Sequence, residues 1–113
     1  MWSDHKRVEE RSIALHQEIA KRIRANPELL QIAKNNLKKW IMKDGEIPVW
    51  REWQKILARP LAQIIDLLVS SDENARRMRQ SSPFCGILTP RERWKTYETF
   101  TTGAYYKGGR KYR

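Results

Sequence analysis

Apolar residues recur every three to four positions along most of this chain. Val8, Ile13, Leu15, Ile19 and Ile23, with Ala14 and Ala20 beside them, form a stripe that predicts a helix over residues 8–24. Asn26-Pro27 punctuates it, since Asn suits a helix cap and Pro the first helical position. A second stripe (Leu29, Leu30, Ile32, Ala33, Leu37, Trp40, Ile41) ends at Asp44-Gly45. Lys38, Lys39 and Lys43 lie toward its C-terminal end, where cations complement the helix dipole. Pro48 opens a third predicted helix holding Trp50, Trp53, Ile56 and Leu57. Arg59-Pro60 interrupts it, because proline disfavours helix in the residue before it. The run Leu61, Ile64, Ile65, Leu67, Leu68 and Val69 is the most apolar and is expected to form the central core helix.

Ser70 and Glu73 have the spacing of a capping box, opening a short basic helix to Gln80. Residues 81–86, Ser-Ser-Pro-Phe-Cys-Gly, read as an ordered loop. Thr89-Pro90-Arg91-Glu92 combines a cap, a proline at the first helical position and a glutamate at the third, and opens a last helix running to about Phe100. No strand-like alternation or internal repeat occurs. The expected fold is all-α: a compact bundle of five or six helices in one domain, residues 1–100. Residues 101–113, with Gly103, Gly108, Gly109, four cations and no acid, are expected to form a flexible, disordered basic tail.

Composition narrows the class. A chain of 113 residues with 40% hydrophobic content supports one modest core. A single cysteine, Cys85, excludes an internal disulfide framework and fits a reducing compartment. No apolar run approaches the roughly 18 residues of a membrane span, and the first twelve residues are too polar for a secretory signal. The expectation is a cytoplasmic protein without a membrane partner.

Charge changes the picture most. Of the net charge of +10, residues 76–113 carry ten Lys/Arg against two Glu, a surplus of eight; residues 1–75 carry thirteen against eleven, a surplus of two. A pI near 10.1 favours acidic partners. Arg76, Arg77, Arg79, Arg91, Arg93 and Lys95 flank the Ser-Pro-Phe loop, and Lys107, Arg110, Lys111 and Arg113 follow in the tail. These ten are the candidate nucleic-acid contacts, with guanidinium forks for phosphates and tail tyrosines (Tyr105, Tyr106, Tyr112) for unpaired bases. The i, i+3 spacing of Trp94 and Tyr97 places them in the core, as helical spacing places Trp40, Trp50 and Trp53. A helix-turn-helix would start its recognition helix at Pro90, but the linker of about nine residues departs from the usual three or four.

Catalytic chemistry has one candidate. Arg11 and His16 form an R-x4-H string that resembles the short motif of the helical HEPN ribonucleases. In that resemblance His moves a proton and Arg stabilises phosphorane charge. His5, His16 and Cys85 show no metal-ligand spacing, no glycine-rich phosphate loop occurs, and no carboxylate pair stands out. No cofactor, metal or small-molecule substrate is expected.

Two strings together carry a second resemblance: Arg-Ser-Ile-Ala-Leu-His at residues 11–16, and Arg-Gln-Ser-Ser-Pro-Phe-Cys-Gly-Ile-Leu-Thr-Pro-Arg-Glu-Arg-Trp at residues 79–94. They resemble a group of small bacterial helical proteins of chromosomes and mobile elements, some of which look like the partner of a toxin or defence protein. The resemblance implies a non-enzymatic, antitoxin-like accessory protein that binds a cognate protein. The surface expected for that partner is Arg79, Pro83, Phe84 and Arg91. Nucleic-acid binding through the basic C-terminal third is the alternative function, and a HEPN-like ribonuclease the third.

Overall fold

The computed structural model describes residues 2–99, with side chains from residue 9 to residue 98. The tail read at 101–113, and with it Lys107, Arg110, Lys111 and Arg113, lies outside the described residues. Six α-helices and one 3-10 turn occur in the order α1 (Trp2–Ala25), the turn (Pro27–Leu29), α2 (Leu30–Asp44), α3 (Pro48–Leu57), α4 (Leu61–Val69), α5 (Glu73–Arg79) and α6 (Pro90–Thr99). The fold is all-α, and the described residues contain no strand.

One core joins the first five helices. From α1 it takes Ile19, Ala20 and Ile23, from α2 Ala33 and Leu37, and from α3 Trp53, Ile56 and Leu57. From α4 come Ile64, Ile65 and Leu68, and from α5 Met78. Phe84, Ile87 and Leu88, from the connection after α5, complete it. The apolar run of α4 does face this core, as its composition demands, and packs mainly on α1.

The helix ends follow local chemistry. Gly45 closes α2 at φ +86°, a conformation costly for any residue with a Cβ, and its N–H donates to Ile41 O at 2.8 Å. Pro48 and Pro90 occupy first helical positions, and Pro60 separates α3 from α4. The Thr89 capping box is complete. Glu92 N–H donates to Thr89 Oγ1 at 3.1 Å and Thr89 N–H donates to Glu92 Oε1 at 2.8 Å.

Two caps differ from expectation. The side chain of Asn26 caps nothing, because Pro27–Leu29 winds as a 3-10 turn before α2 begins. The cap of α5 is Asp72 rather than Ser70: Asp72 Oδ1 accepts from Ala75 N–H at 2.8 Å, while Ser70 Oγ accepts from Asp72 N–H one step earlier. Asp72→Ala is therefore expected to lower the urea midpoint of unfolding more than Ser70→Ala; a larger effect of Ser70→Ala would return the cap to Ser70.

Candidate functional site

The Ser-Ser-Pro-Phe-Cys-Gly connection is bound into the domain by side chains from three helices. On α1, His16 lies in line with the buried stripe Ile19, Ala20 and Ile23, and is itself only 5% exposed. Its Nδ1–H donates to Ser12 O at 2.7 Å, so Nε2 is bare and accepts from Ser82 Oγ–H at 2.9 Å. Ser82 Oγ accepts in turn from Phe84 N–H at 3.3 Å. On α2, Asn36 Nδ2 donates to Pro83 O at 2.9 Å and Cys85 O at 2.8 Å. On α3, Trp53 Nε1–H donates to Ser81 Oγ at 3.2 Å, and its ring meets Phe84 edge-on at 5.6 Å between centroids. Gly86 completes the reversal at φ +96°, where an L side chain would be strained.

This geometry corrects the proposed partner surface. Pro83 and Phe84 are buried, Phe84 at 1% exposure, because Phe84 fills the space beside Trp53. Arg79 is buried as well. Its Nη1 donates to Leu67 O at 3.0 Å and Leu68 O at 3.3 Å, placing a cation on the carbonyl end of α4. Of the four residues assigned to that surface, only Arg91 is exposed.

The basic cluster also divides. Arg76 pairs with Glu9 of α1 at 3.3 Å, and Arg77 makes a two-pronged pair with Glu52 of α3, both bonds 3.1 Å. Arg91, Arg93 and Lys95 are exposed and carry no ion pair among the described residues. Trp94 is 65% exposed, against the expectation of a core position. The reason is the face on which α6 docks. Glu92 reaches Arg22 of α1 at 2.9 Å, and Tyr97 lies under the Arg11 guanidinium at 4.8 Å. Those contacts orient Arg91, Trp94 and Lys95, spaced i, i+3 and i+4, together toward solvent. The wide connection, folded into the core, also sets α5 and α6 apart from the tight turn of a helix-turn-helix.

The ribonuclease candidates Arg11 and His16 lie in different environments. Arg11 and His16 lie about 140° apart around α1 by helical geometry. Arg11 is exposed over Tyr97, whereas both His16 nitrogens are occupied inside the domain. Burial is the main cause that pushes the His16 imidazole from 6.5 down to about 4. The Ser12 bond opposes the shift and the nearby Arg79 charge adds to it. His16 is a neutral structural group, not one poised to transfer protons.

Cys85 is exposed, and its Sγ lies 3.6 Å from Asn36 Nδ2. Among the described residues no group of three or more His, Cys, Asp or Glu could hold a metal ion, and no helix is long and apolar enough to cross a membrane. No family model, curated protein or solved structure matches the chain.

Sequence reasoning missed Asn36, which binds two loop carbonyls. The signal was present: Ala33, Asn36, Leu37 and Trp40 follow the i, i+3, i+4, i+7 spacing of the inward face. The same spacing marks His16 through Ile19, Ala20 and Ile23.

The His16 environment sets a pH dependence. Between about pH 4 and 6.5 the unfolded chain binds the proton that folded His16 refuses. Stability is therefore whole above 6.5 and falls as pH drops through that window, by up to about 3 kcal/mol. Urea unfolding of wild type and His16→Gln should show a wild-type loss between pH 6.5 and 5 that the variant lacks. At pH 7.5, Ser82→Ala is expected to cost about 1 kcal/mol.

Proposed function

We propose that the chain is a non-enzymatic binding module whose α6 presents Arg91, Trp94 and Lys95 to single-stranded nucleic acid. The observation that carries this reading is an exposed tryptophan beside two exposed cations that make no ion pair among the described residues. A flat aromatic ring offers a stacking surface to an unpaired base, and cations on either side hold the adjoining phosphates. Arg93 and the cations of residues 101–113 extend the positive potential beyond this face. Arg76, Arg77 and Arg79 take no part, since carboxylates or helix carbonyls already engage them.

An antitoxin-like accessory role is compatible with this module and asks in addition for a surface that receives a cognate protein. The Ser-Pro-Phe loop is not that surface, because its side chains belong to the core.

Fluorescence anisotropy with a labelled single-stranded RNA, measured on the full chain over a salt series, tests the proposal. Wild type is expected to show a steep salt slope. Arg91→Ala with Lys95→Ala should reduce that slope by about 1.4, the contribution of two phosphate contacts. Trp94→Ala should weaken binding by about 1–3 kcal/mol at every salt concentration, as the loss of one stacked base requires. Trp94→Phe should retain most of it. Binding that is insensitive to salt, or unchanged in these variants, would contradict the proposal.

A further inference from the structure

We propose that the groove between α2 and α3 is a docking site for an acidic amphipathic helix of another protein. The groove encloses about 350 Å³ and is lined by Lys34, Leu37, Lys38, Ile41 and Met42 of α2 and by Gln54, Leu57 and Ala58 at the α3 side. Its floor is apolar, with Leu37 and Leu57 buried and Ile41 half-buried. Met42 stands 81% exposed at one end, an unusual position for a large apolar side chain, and its flexible thioether suits a surface that adapts to what it meets. Lys34 and Lys38, one helical turn apart, form the charged wall. Both are exposed, neither has an ion pair among the described residues, and no acidic side chain lines the groove.

These features select one occupant. A second copy of the chain would bring a net charge of +10 against the two lysines. Residues 101–113, with four cations and no acid, meet the same repulsion. Nucleic acid satisfies the lysines but has no side chains for the apolar floor. The complementary ligand combines apolar anchors with carboxylates. From Lys34 to Met42 the α2 wall rises about 12 Å, at 1.5 Å per residue. That length fits two turns of a helix whose apolar residues at i, i+3 or i+4, and i+7 enter the groove while its flanking Glu or Asp meet the lysines. This surface is separate from the α6 face and independent of the nucleic-acid reading.

The probe is a synthetic 16-residue helix with leucines at i, i+3, i+4 and i+7 and glutamates elsewhere, titrated into the full chain with methyl-labelled Ile, Leu and Met. Saturable shifts are expected at Leu37, Ile41, Met42 and Leu57. Lys34→Glu with Lys38→Glu should weaken binding about fivefold or more, and Met42→Glu should weaken it too. These sites are exposed, so the variants are expected to stay folded, with circular dichroism as the check. A version of the peptide with lysine for glutamate should produce no shift. The proposal is overturned if the acidic peptide leaves these methyls unmoved or shifts other methyls instead. It is equally overturned if the lysine peptide binds as well, or if charge reversal has no effect. Loss of RNA binding in the Trp94→Ala variant should leave peptide binding intact, which separates the two surfaces.

Discussion

The neutral imidazole of His16, held between the backbone of α1 and the hydroxyl of Ser82, is the contact on which the placement of the long α5–α6 connection depends. A ten-residue segment with little secondary structure has many backbone groups to satisfy once it enters a core. Here Asn36 satisfies the Pro83 and Cys85 carbonyls, while His16 and Trp53, from two other helices, hold the Ser82 and Ser81 hydroxyls. In return the segment delivers Phe84, Ile87 and Leu88 to the interior. It also fixes where Thr89 starts α6, and so which face of that helix meets solvent. The stability of the core and the position of α6 thus share one set of hydrogen bonds.

Periodicity made most of the helices legible, because a 3.6-residue stripe with proline and glycine at its ends leaves few alternatives. The break at Gly45, the starts at Pro48 and Pro90 and the interruption before Leu61 all fell where the residues indicated. The cap of α5 was misplaced because Ser70 and Asp72 are both good caps two residues apart, and only the backbone geometry selects Asp72. The site was far less legible. Arg79, Pro83 and Phe84 have the composition of a recognition loop, yet tertiary packing turns them inward, and sequence carries little trace of a contact formed 66 residues away between His16 and Ser82. Trp94 erred in the opposite direction. Helical spacing marks it as core, but the Glu92–Arg22 and Tyr97–Arg11 contacts choose a different face of α6 for docking.

Among the described residues, the excess positive charge of the C-terminal third consequently divides into two sets. Arg76 and Arg77 tie α5 to α1 and α3, and Arg79 completes the end of α4. Arg91, Arg93 and Lys95 are exposed and make no ion pair among the described residues. A net charge describes the attraction to polyanions, while the pairing pattern shows which cations remain to act on it. The α2–α3 groove sorts in the same way, for its lysines border an apolar floor and pair with no acid among the described residues.

The central claim is that the α6 face, and not the loop before it, is where the molecule meets nucleic acid. Amide hydrogen exchange of the full chain with and without single-stranded RNA tests this most directly, since it reports both segments in one experiment. The account predicts slower exchange across residues 90–98 on adding RNA, with residues 81–88 already protected and unchanged. Protection confined to residues 76–88, with α6 unaffected, would contradict it.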